Sequence, residues 1–449
     1  MRIKFLGAAG TVTGSSYILT SGSGRSVLID LGMFQGPSEI DKLNYEPYDY
    51  DLSSLSGAVL THAHLDHSGR LPILYSHGYK GNIWMTPATR DLTEISLYDS
   101  AKIAKEDRHP ILYNHDLAVQ TVLRFETVDY RIPKQMGDFM ITFRDAGHIL
   151  GSASLEITDM RPNTEIKKIV FSGDLGNSPE PLEAPTELID NSDVVVMEST
   201  YGDRLHPKES PIEKIQSEIN IIEETGGALL VPTFSLDRTQ ELLHVIMHLK
   251  KAGKIKNETP VYLDSPMAQK ATQVYVNYPK YFNSEIQADL KIGDVFNFPG
   301  LITIEKWQQS VKIHETEGPK VIIAGSGMMT GGRIRGHTAF YMPMPNSRLL
   351  IVGYQGEGSL GRQIIEGNKN VNIDGVTVNI KGAVSDTHGL SSHADQAQLI
   401  AWLKHIKGTK KVFLTHGDEE ARVALSKKIV EELAIKEIEL PIMNQEFEI

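Results

Sequence analysis

Short runs of apolar, mostly β-branched residues recur along the chain, and each ends in polar residues or glycine. Several of them are almost continuously apolar, which is typical of strands buried on both faces of a sheet. The clearest runs predict nine strands, at residues 27–30, 58–62, 169–173, 194–198, 229–232, 261–264, 321–325, 349–353 and 412–416.

Helical patterns lie between these runs. Ser210 precedes a proline and stands three residues before Glu213, which is the pattern of a helix start, and this helix is expected to end near Gly226. Apolar residues at helical spacing predict further helices over residues 236–251 and 395–407. Alternation of strands and helices indicates an α/β fold built in layers.

The composition narrows the class of protein. Of 449 residues, 40% are hydrophobic and 23% are charged, which fits a globular protein. The net charge of −12 does not suggest a nucleic-acid-binding protein as a whole, although phosphate binding needs only a local basic patch. Because the chain has no cysteine and neither a leader-like N-terminus nor a long apolar run, we expect a cytoplasmic protein without a membrane span.

The strongest chemical signal is a cluster of metal-ligand residues at a strand-to-helix turn. The segment His62-Ala63-His64-Leu65-Asp66-His67 follows an apolar strand and precedes a predicted helix. Imidazole and carboxylate are the zinc ligands available to a chain without cysteine. Four ligands exceed what one tetrahedral ion with an open water position needs, so the cluster predicts two metal ions.

Three distant residues are candidates for further ligands. His148 follows a glycine, and Asp174 and His416 stand at the ends of two predicted strands, where α/β folds place functional groups. A single histidine in such a position is more often a solvated or structural residue. Their joint occurrence with the cluster favours the metal-binding interpretation.

These residues resemble a known family, the metallo-β-lactamase superfamily. The resemblance includes the cluster, His148, Asp174 and the segment Leu28-Ile29-Asp30-Leu31-Gly32. The motifs around Glu198, His393 and His416, together with Gly-rich motifs beginning at Gly325 and Gly353, are similar to the β-CASP branch. The resemblance covers nearly the whole chain and is greatest to bacterial and archaeal relatives of the pre-mRNA 3′-end cleavage endonuclease.

The resemblance implies a four-layer αβ/βα sandwich with an inserted α/β β-CASP domain and an active site between the two domains. The implied domains are residues 1–202 and 380–449 of the metallo-β-lactamase fold and residues 203–379 of the insertion. It also implies a hydrolase that cleaves RNA phosphodiester bonds with two Zn²⁺ ions per chain. Endonuclease action is favoured over 5′-exonuclease action, and a homodimer through the C-terminal segment is a further option by analogy.

The resemblance assigns roles residue by residue. The implied metal ligands are His62, His64 and His148 for one zinc, Asp66, His67 and His416 for the other, and Asp174 for both. Asp30 would orient ligands without binding metal. Asp66 is also counted as catalytic, with Glu198 and His393. His393 is the candidate general acid held by Glu198, although its segment alone also fits an ordinary helix N-cap.

A basic, glycine-rich segment is the candidate RNA contact. Residues 320–362 contain one Lys and four Arg against a single acid, Glu357. Glycines allow backbone N–H groups to approach phosphate, and Arg gives forked contacts. The predicted RNA-binding residues are Ser326, Arg333, Arg335 and Arg362. The alternative is that they are ordinary turn and surface residues.

Other functions fit less well. A DNA-processing β-CASP nuclease is the nearest alternative, but such members usually have an apolar residue where His416 stands. A thioester or lactone hydrolase would lack the long insertion. A non-catalytic RNA-processing scaffold would be expected to have lost ligands, whereas every ligand position is filled here.

Overall fold

The computed structural model describes residues 1–47, 50–106, 111–162, 164–178, 182–207, 210–356, 358–387 and 390–449. Glu357 of the basic segment therefore lies outside the described residues. The chain forms two compact units, one of Met1–Leu205 with Ser392–Ile449 and the other of His206–Ser391.

All nine apolar runs form strands, and the described residues contain further strands that were not predicted. In chain order the strands are β1 (Arg2–Gly7), β2 (Ser16–Thr20), β3 (Ser26–Ile29), β4 (Leu55–Val59), β5 (Ile83–Met85), β6 (Phe125–Thr127), β7 (Lys134–Met136), β8 (Phe139–Asp145), β9 (Ala153–Asp159), β10 (Lys168–Phe171), β11 (Val194–Glu198), β12 (Ala228–Pro232), β13 (Val261–Asp264), β14 (Leu301–Thr303), β15 (Lys320–Ala324), β16 (Arg348–Ile351), β17 (Asn370–Ile373), β18 (Val376–Asn379), β19 (Ala383–Asp386), β20 (Lys411–Thr415), β21 (Glu437–Glu439) and β22 (Glu446–Glu448).

The three predicted helices are also present. The helices are α1 (Ser38–Asp41), α2 (Leu65–Ser68), α3 (Leu71–Ser76), α4 (Pro87–Glu106), α5 (His115–Val122), α6 (Pro211–Thr225), α7 (Arg238–Lys251), α8 (Pro266–Asn277), α9 (Ser284–Leu290), α10 (Trp307–Lys312), α11 (Ile334–Tyr341), α12 (Leu360–Ile365), α13 (Gln396–His405) and α14 (Glu419–Leu433). Ser210 caps α6 by accepting a hydrogen bond from the Glu213 N–H, and Gly226 ends it with a φ of 68°.

The first unit is a sandwich of two seven-stranded sheets. Their strand orders are β22-β1-β2-β3-β4-β5-β6 and β21-β20-β11-β10-β9-β8-β7. Successive side chains of a strand point to opposite faces. In β10, Ile169 and Phe171 therefore join the core between the sheets, while Val170 packs towards the helices.

Helices cover the outer faces of both sheets. Side chains of α3, α4 and α5 share a core with β3 and β4, and those of α13 and α14 share a core with β10, β11 and β20. The layers therefore run helix, sheet, sheet, helix, which confirms the predicted four-layer sandwich. The candidate metal ligands lie just after the ends of strands of this sandwich, in loops or in the first turn of α2.

The second unit is built on a six-stranded sheet of order β14-β13-β15-β12-β16-β19, with a separate hairpin of β17 and β18. Every pair in the six-stranded sheet is parallel. This agrees with the near-continuous apolar runs of β12, β13, β15 and β16, because such strands are buried on both faces.

The end of the inserted domain at residue 379 remains a prediction. In the structure, β19 pairs with β16 across Arg348–Ile351, so the compact second unit continues to Ser391.

Among the described residues, no helix combines the length and the apolarity that crossing a membrane requires.

Candidate metal centre

The cluster of residues 62–67 spans the loop after β4 and the start of α2, and backbone hydrogen bonds from Leu31 and Met33 hold it in place. β4 ends at Val59, and α2 begins at Leu65, directly after His64. The Leu31 N–H donates to the His67 carbonyl at 2.9 Å, and the Met33 N–H donates to the Leu65 carbonyl at 2.7 Å.

Gly32 is required for this approach. A Cβ at Gly32 would lie 1.5 Å from the carbonyl oxygen of Asp66, so no larger residue fits without moving the ligand loop. The glycine of the Leu28–Gly32 motif therefore has a structural reason that the sequence alone did not reveal.

Four of the predicted ligands converge in one group. The Nδ1 atom of His64 lies 3.1 Å from His62 Nε2 and 3.2 Å from His148 Nε2. The Oδ2 atom of Asp174 lies 3.4 Å from His62 Nε2 and 3.6 Å from His148 Nε2. These four atoms surround a common point from three loops of the first unit.

The other three predicted ligands, Asp66, His67 and His416, form a second group. Asp66 Oδ2 lies 3.4 Å from His416 Nε2. Asp174 Oδ1, the second oxygen of the shared carboxylate, lies 3.2 Å from His67 Nε2. The carboxylate of Asp174 thus faces the first group with one oxygen and the second group with the other.

Asp174 is a buried anion that faces imidazole rings and forms no hydrogen bond of good geometry with the described residues. Both oxygens are buried, and neither accepts a hydrogen bond within the part of the chain that the structure describes. Although its burial opposes ionisation, the imidazoles of His416, His67 and His62 hold the pKa of Asp174 well below its usual range. A buried carboxylate of this kind needs a cation, and a pair of metal ions would satisfy both oxygens.

Hydrogen bonds at Nδ1 orient three of the rings so that Nε2 is available. The hydroxyl of Thr61 accepts from His62 Nδ1 at 3.1 Å. The backbone carbonyl of Ser392 accepts from His148 Nδ1 at 3.0 Å. The hydroxyl of Thr200 accepts from His416 Nδ1 at 3.0 Å. Such partners fix the tautomer that a metal-binding imidazole requires.

The protonation of the rings also suits metal binding. Burial and the neighbouring imidazoles lower the pKa of His62 and His148 well below the usual value, so both rings are neutral at pH 7. Neutral imidazole is the form that coordinates metal. For His67 the carboxylates of Asp174 and Asp30 outweigh burial and raise the pKa well above its usual value, so a metal ion would displace a proton there.

Asp30 lies behind the ligands, as its predicted role requires. Its Oδ1 accepts from the Thr61 N–H at 2.7 Å, and its Oδ2 accepts from the Thr61 hydroxyl at 2.8 Å and from His67 Nδ1 at 2.8 Å. Its backbone has a φ of 56°, an uncommon conformation for a residue other than glycine. The carboxylate therefore directs Nε2 of His67 towards Asp174.

Replacing Asp30 with asparagine is expected to lower zinc affinity and hydrolytic activity by about 10- to 100-fold. If the amide oxygen keeps the bond to Thr61 N–H, the NH₂ group faces His67 Nδ1 and favours the tautomer with hydrogen on Nε2. Zinc titration and initial rates measure the effect. Asp159→Asn is a matched control, because Asp159 is equally buried but binds Arg161. Equal losses in both variants would contradict the tautomer argument.

His393 and Glu198 form a pair beside the predicted metal ligands. His393 Nδ1 lies 3.1 Å from Glu198 Oε1, and its Nε2 lies 4.0 Å from Asp174 Oδ2. Glu198 is buried and is itself fixed by the Leu175 N–H at 2.7 Å. Although burial opposes protonation, Glu198, Asp174 and Asp66 together raise the pKa of His393 to about 9. The helix N-cap in this segment is Asp395, not His393.

Three residues of the centre were not predicted from sequence: Thr61, Thr200 and the carbonyl of Ser392. Each adjoins a ligand or catalytic motif, which is the only signal the sequence offers. Two of these interactions join residues that lie far apart along the chain, since Thr200 and His416 are 216 positions apart and His148 and Ser392 are 244 apart, whereas Thr61 is the neighbour of His62. Sequence spacing cannot identify such pairs.

The predicted RNA-binding residues lie in the second unit, and most of their polar groups have protein partners. Arg333 Nη1 donates to Asp264 Oδ1 at 2.5 Å, and Arg335 Nη2 donates to Asp374 Oδ1 at 2.7 Å. Arg362 pairs with Glu366 at 2.6 Å with its side chain 50% exposed, and Ser326 donates to the Gly331 carbonyl.

The donor set as a whole fits divalent transition-metal ions. It consists of imidazole nitrogens and carboxylate oxygens, and hydrogen-bond partners orient several of the imidazole rings. The carboxylate of Asp174 lies between the two groups of predicted ligands. A helix–sheet–sheet–helix sandwich with this centre on its loops defines a metallo-hydrolase of the metallo-β-lactamase type.

Comparison with known families and proteins extends this assignment. Residues 9–232 match the metallo-β-lactamase superfamily, residues 239–364 match the Beta-Casp domain, and residues 377–441 match the Zn-dependent metallo-hydrolase RNA specificity domain. The chain is 38% identical to ribonuclease TTHA0252 of Thermus thermophilus, with 95% of each chain covered. It is 31% identical to the transcription termination factor FttA of Methanosarcina mazei, over 97% of this chain and 70% of that one.

The chain therefore belongs to the β-CASP branch of the metallo-β-lactamase superfamily, which confirms the resemblance drawn from its motifs. A solved structure, that of a protein of unknown function from Enterococcus faecalis, has a TM-score of 0.55 at 12% identity, with 99% of each chain covered. That likeness supports the fold alone.

Proposed function

We propose that the protein is a zinc-dependent ribonuclease that hydrolyses RNA phosphodiester bonds at a two-metal centre. Endonuclease action is favoured, and 5′-exonuclease action is the alternative. The observation that carries the proposal is the placement of Asp174, whose two buried oxygens face two separate groups of ligands. Such a carboxylate is suited to bridging two ions.

The proposed ions are Zn²⁺, one held by His62, His64, His148 and Asp174 and the other by Asp66, His67, His416 and Asp174. When bound, two zinc ions supply an activated water and neutralise charge on the phosphate. Zinc is favoured because five of the seven ligands are imidazoles, whereas magnesium and calcium prefer oxygen.

His393 is proposed to protonate the leaving ribose oxygen. Glu198 accepts the hydrogen on Nδ1, which leaves the protonated Nε2 turned towards Asp174 and the reacting atoms. In the reaction, a bond forms from water oxygen to phosphorus while the bond from phosphorus to the 3′ oxygen breaks. The attacking water releases one proton to solvent, and the proton from Nε2 of His393 moves to the 3′ oxygen, so the products carry a 5′-phosphate and a 3′-hydroxyl.

Two observations favour RNA over DNA as the substrate: the names of the relatives and the histidine at position 416. One relative is named a ribonuclease, another is named a transcription termination factor, and an RNA specificity domain matches residues 377–441. The histidine at position 416 supports the same choice, because DNA-processing members usually have an apolar residue there.

Ser326, Arg333, Arg335 and Arg362 remain the proposed contacts to the RNA backbone. Arg362 is the strongest candidate of the three arginines, because its side chain is 50% exposed, against 18% for Arg333 and 20% for Arg335, and because its partner Glu366 is exposed as well. Exposed ion pairs contribute little to stability, so a phosphate can replace such a partner at small cost. Backbone contacts of this kind position a strand without reading its sequence.

The proposal is tested by incubating the zinc-loaded protein with three substrates: a 5′-labelled linear RNA, a circular RNA of the same sequence, and the matching single-stranded DNA. Cleavage of the circle is the expected result, because a circle has no end for an exonuclease. Fragments should carry a 5′-phosphate, which is detected by their ligation to a 3′-hydroxyl acceptor.

Each other outcome has a distinct meaning. Cleavage of the linear RNA alone would support the exonuclease alternative. Degradation of DNA with intact RNA would favour the DNA-processing alternative and overturn the substrate assignment. If the zinc-loaded protein cuts none of the three but binds RNA, the chain is a non-catalytic scaffold. Asp174→Asn serves as the control for contaminating nucleases.

A further inference from the structure

A second cluster of potential metal ligands lies in the second unit, apart from the residues of the candidate metal centre. It consists of His244 and His248 on α7 and Asp289 on α9. The two Nε2 atoms lie 2.9 Å apart, and Asp289 Oδ2 lies 3.0 Å from His248 Nε2 and 3.9 Å from His244 Nε2. Three donor atoms therefore face one another.

Local structure fixes the positions of these side chains. His244 and His248 are four residues apart on a helix, which places them on one face. α9 is anchored by the side chain of Asn283, which accepts from the N–H groups of Glu285 and Ile286 at its start. Ile286 is fully buried, and Asp289 follows it by three residues on the same face of α9, so the face that carries Asp289 packs against the rest of the unit.

Hydrogen bonding alone does not satisfy this cluster. A neutral histidine has one ring hydrogen, so His248 Nε2 can donate to His244 or to Asp289 but not to both. Asp289 Oδ2 is buried and accepts no hydrogen bond from the described residues, even though His248 Nε2 lies 3.0 Å away.

We propose that His244, His248 and Asp289 bind one divalent transition-metal ion of the Zn²⁺ class. Ligand bonds of about 2.1 Å in a tetrahedral site place donor atoms roughly 3.4 Å apart, and the three observed separations lie on both sides of that value. Two imidazoles with one carboxylate suit zinc or cobalt and not calcium or magnesium. The His248 side chain is 37% exposed, which leaves a position open to water.

The ion would have a structural effect, since it would join α7 to α9. A ligand that binds the folded protein but not the unfolded chain raises the stability of the fold. This inference does not rest on the proposed function, because no residue of the cluster belongs to the candidate metal centre.

The test compares zinc stoichiometry in the full-length protein after equilibrium dialysis against Zn²⁺ alone. The double variant His248→Gln with Asp289→Asn is expected to bind one ion fewer per chain than the wild type. The matched control is His405→Gln with Asp190→Asn, which removes an exposed His–Asp pair of the first unit and should bind as many ions as the wild type. Circular dichroism checks that both variants fold.

A second measurement keeps the test independent of activity. Co²⁺ loaded in place of zinc should give a visible absorption difference between the wild type and the double variant, and the zinc-dependent rise in melting temperature should be smaller in the variant. If the double variant does not fold, His248→Gln alone is used, because His248 is partly exposed. Equal stoichiometry and equal cobalt spectra in all three proteins would overturn the proposal.

Discussion

Replacing Asp174 with asparagine is expected to lower RNA cleavage by about 1000-fold, which corresponds to about 4 kcal/mol of transition-state stabilisation. The amide keeps the size of the carboxylate but has one oxygen and no charge. It can face the first ligand group or the second with that oxygen, but not both. The variant should therefore also bind less zinc, as measured by metal analysis after dialysis.

Asp159→Asn again separates this effect from a general loss of a buried carboxylate, since Asp159 lies in the same unit and is equally buried. We expect the control to retain wild-type zinc content and nearly wild-type rates. If Asp174→Asn cleaves RNA at the wild-type rate and keeps its full complement of zinc, the bridging role is excluded.

The parts of the fold and site that sequence could predict are those determined by short segments. Val194–Met197 are apolar because both faces of β11 are buried, and the bounds of this strand, Val194–Glu198, were predicted without error. The cluster at residues 62–67 was equally visible, because its ligands are neighbours in sequence. Helix ends were less certain: α7 begins at Arg238, two residues after the predicted start.

Contacts between distant segments account for what the sequence did not reveal. Arg333 and Arg335 were predicted as RNA contacts from the basic segment around them, whereas in the structure they pair with Asp264 and Asp374, which lie 69 and 39 positions away. His244 and His248 carried no functional prediction, because Asp289 reaches them only through the packing of α9.

The largest effect expected away from the metal ligands is that of replacing His393 with alanine. Loss of a general acid typically lowers the rate by about 100- to 10,000-fold. Because His393 contributes a proton and no ligand atom in the proposed mechanism, zinc content should not change. His405→Ala is the matched control, since His405 is an exposed histidine whose partner is Asp190.

The leaving group distinguishes proton donation from a merely structural role. An aryl phosphodiester releases a stable phenolate that needs no proton, so its hydrolysis should fall much less than that of RNA when His393 is removed. Glu198→Gln should show the same selectivity to a smaller degree, because the ring remains but its anionic partner at Nδ1 is lost. Equal losses on both substrates would mean that His393 supports the centre's structure, and the proton would have to come from another group.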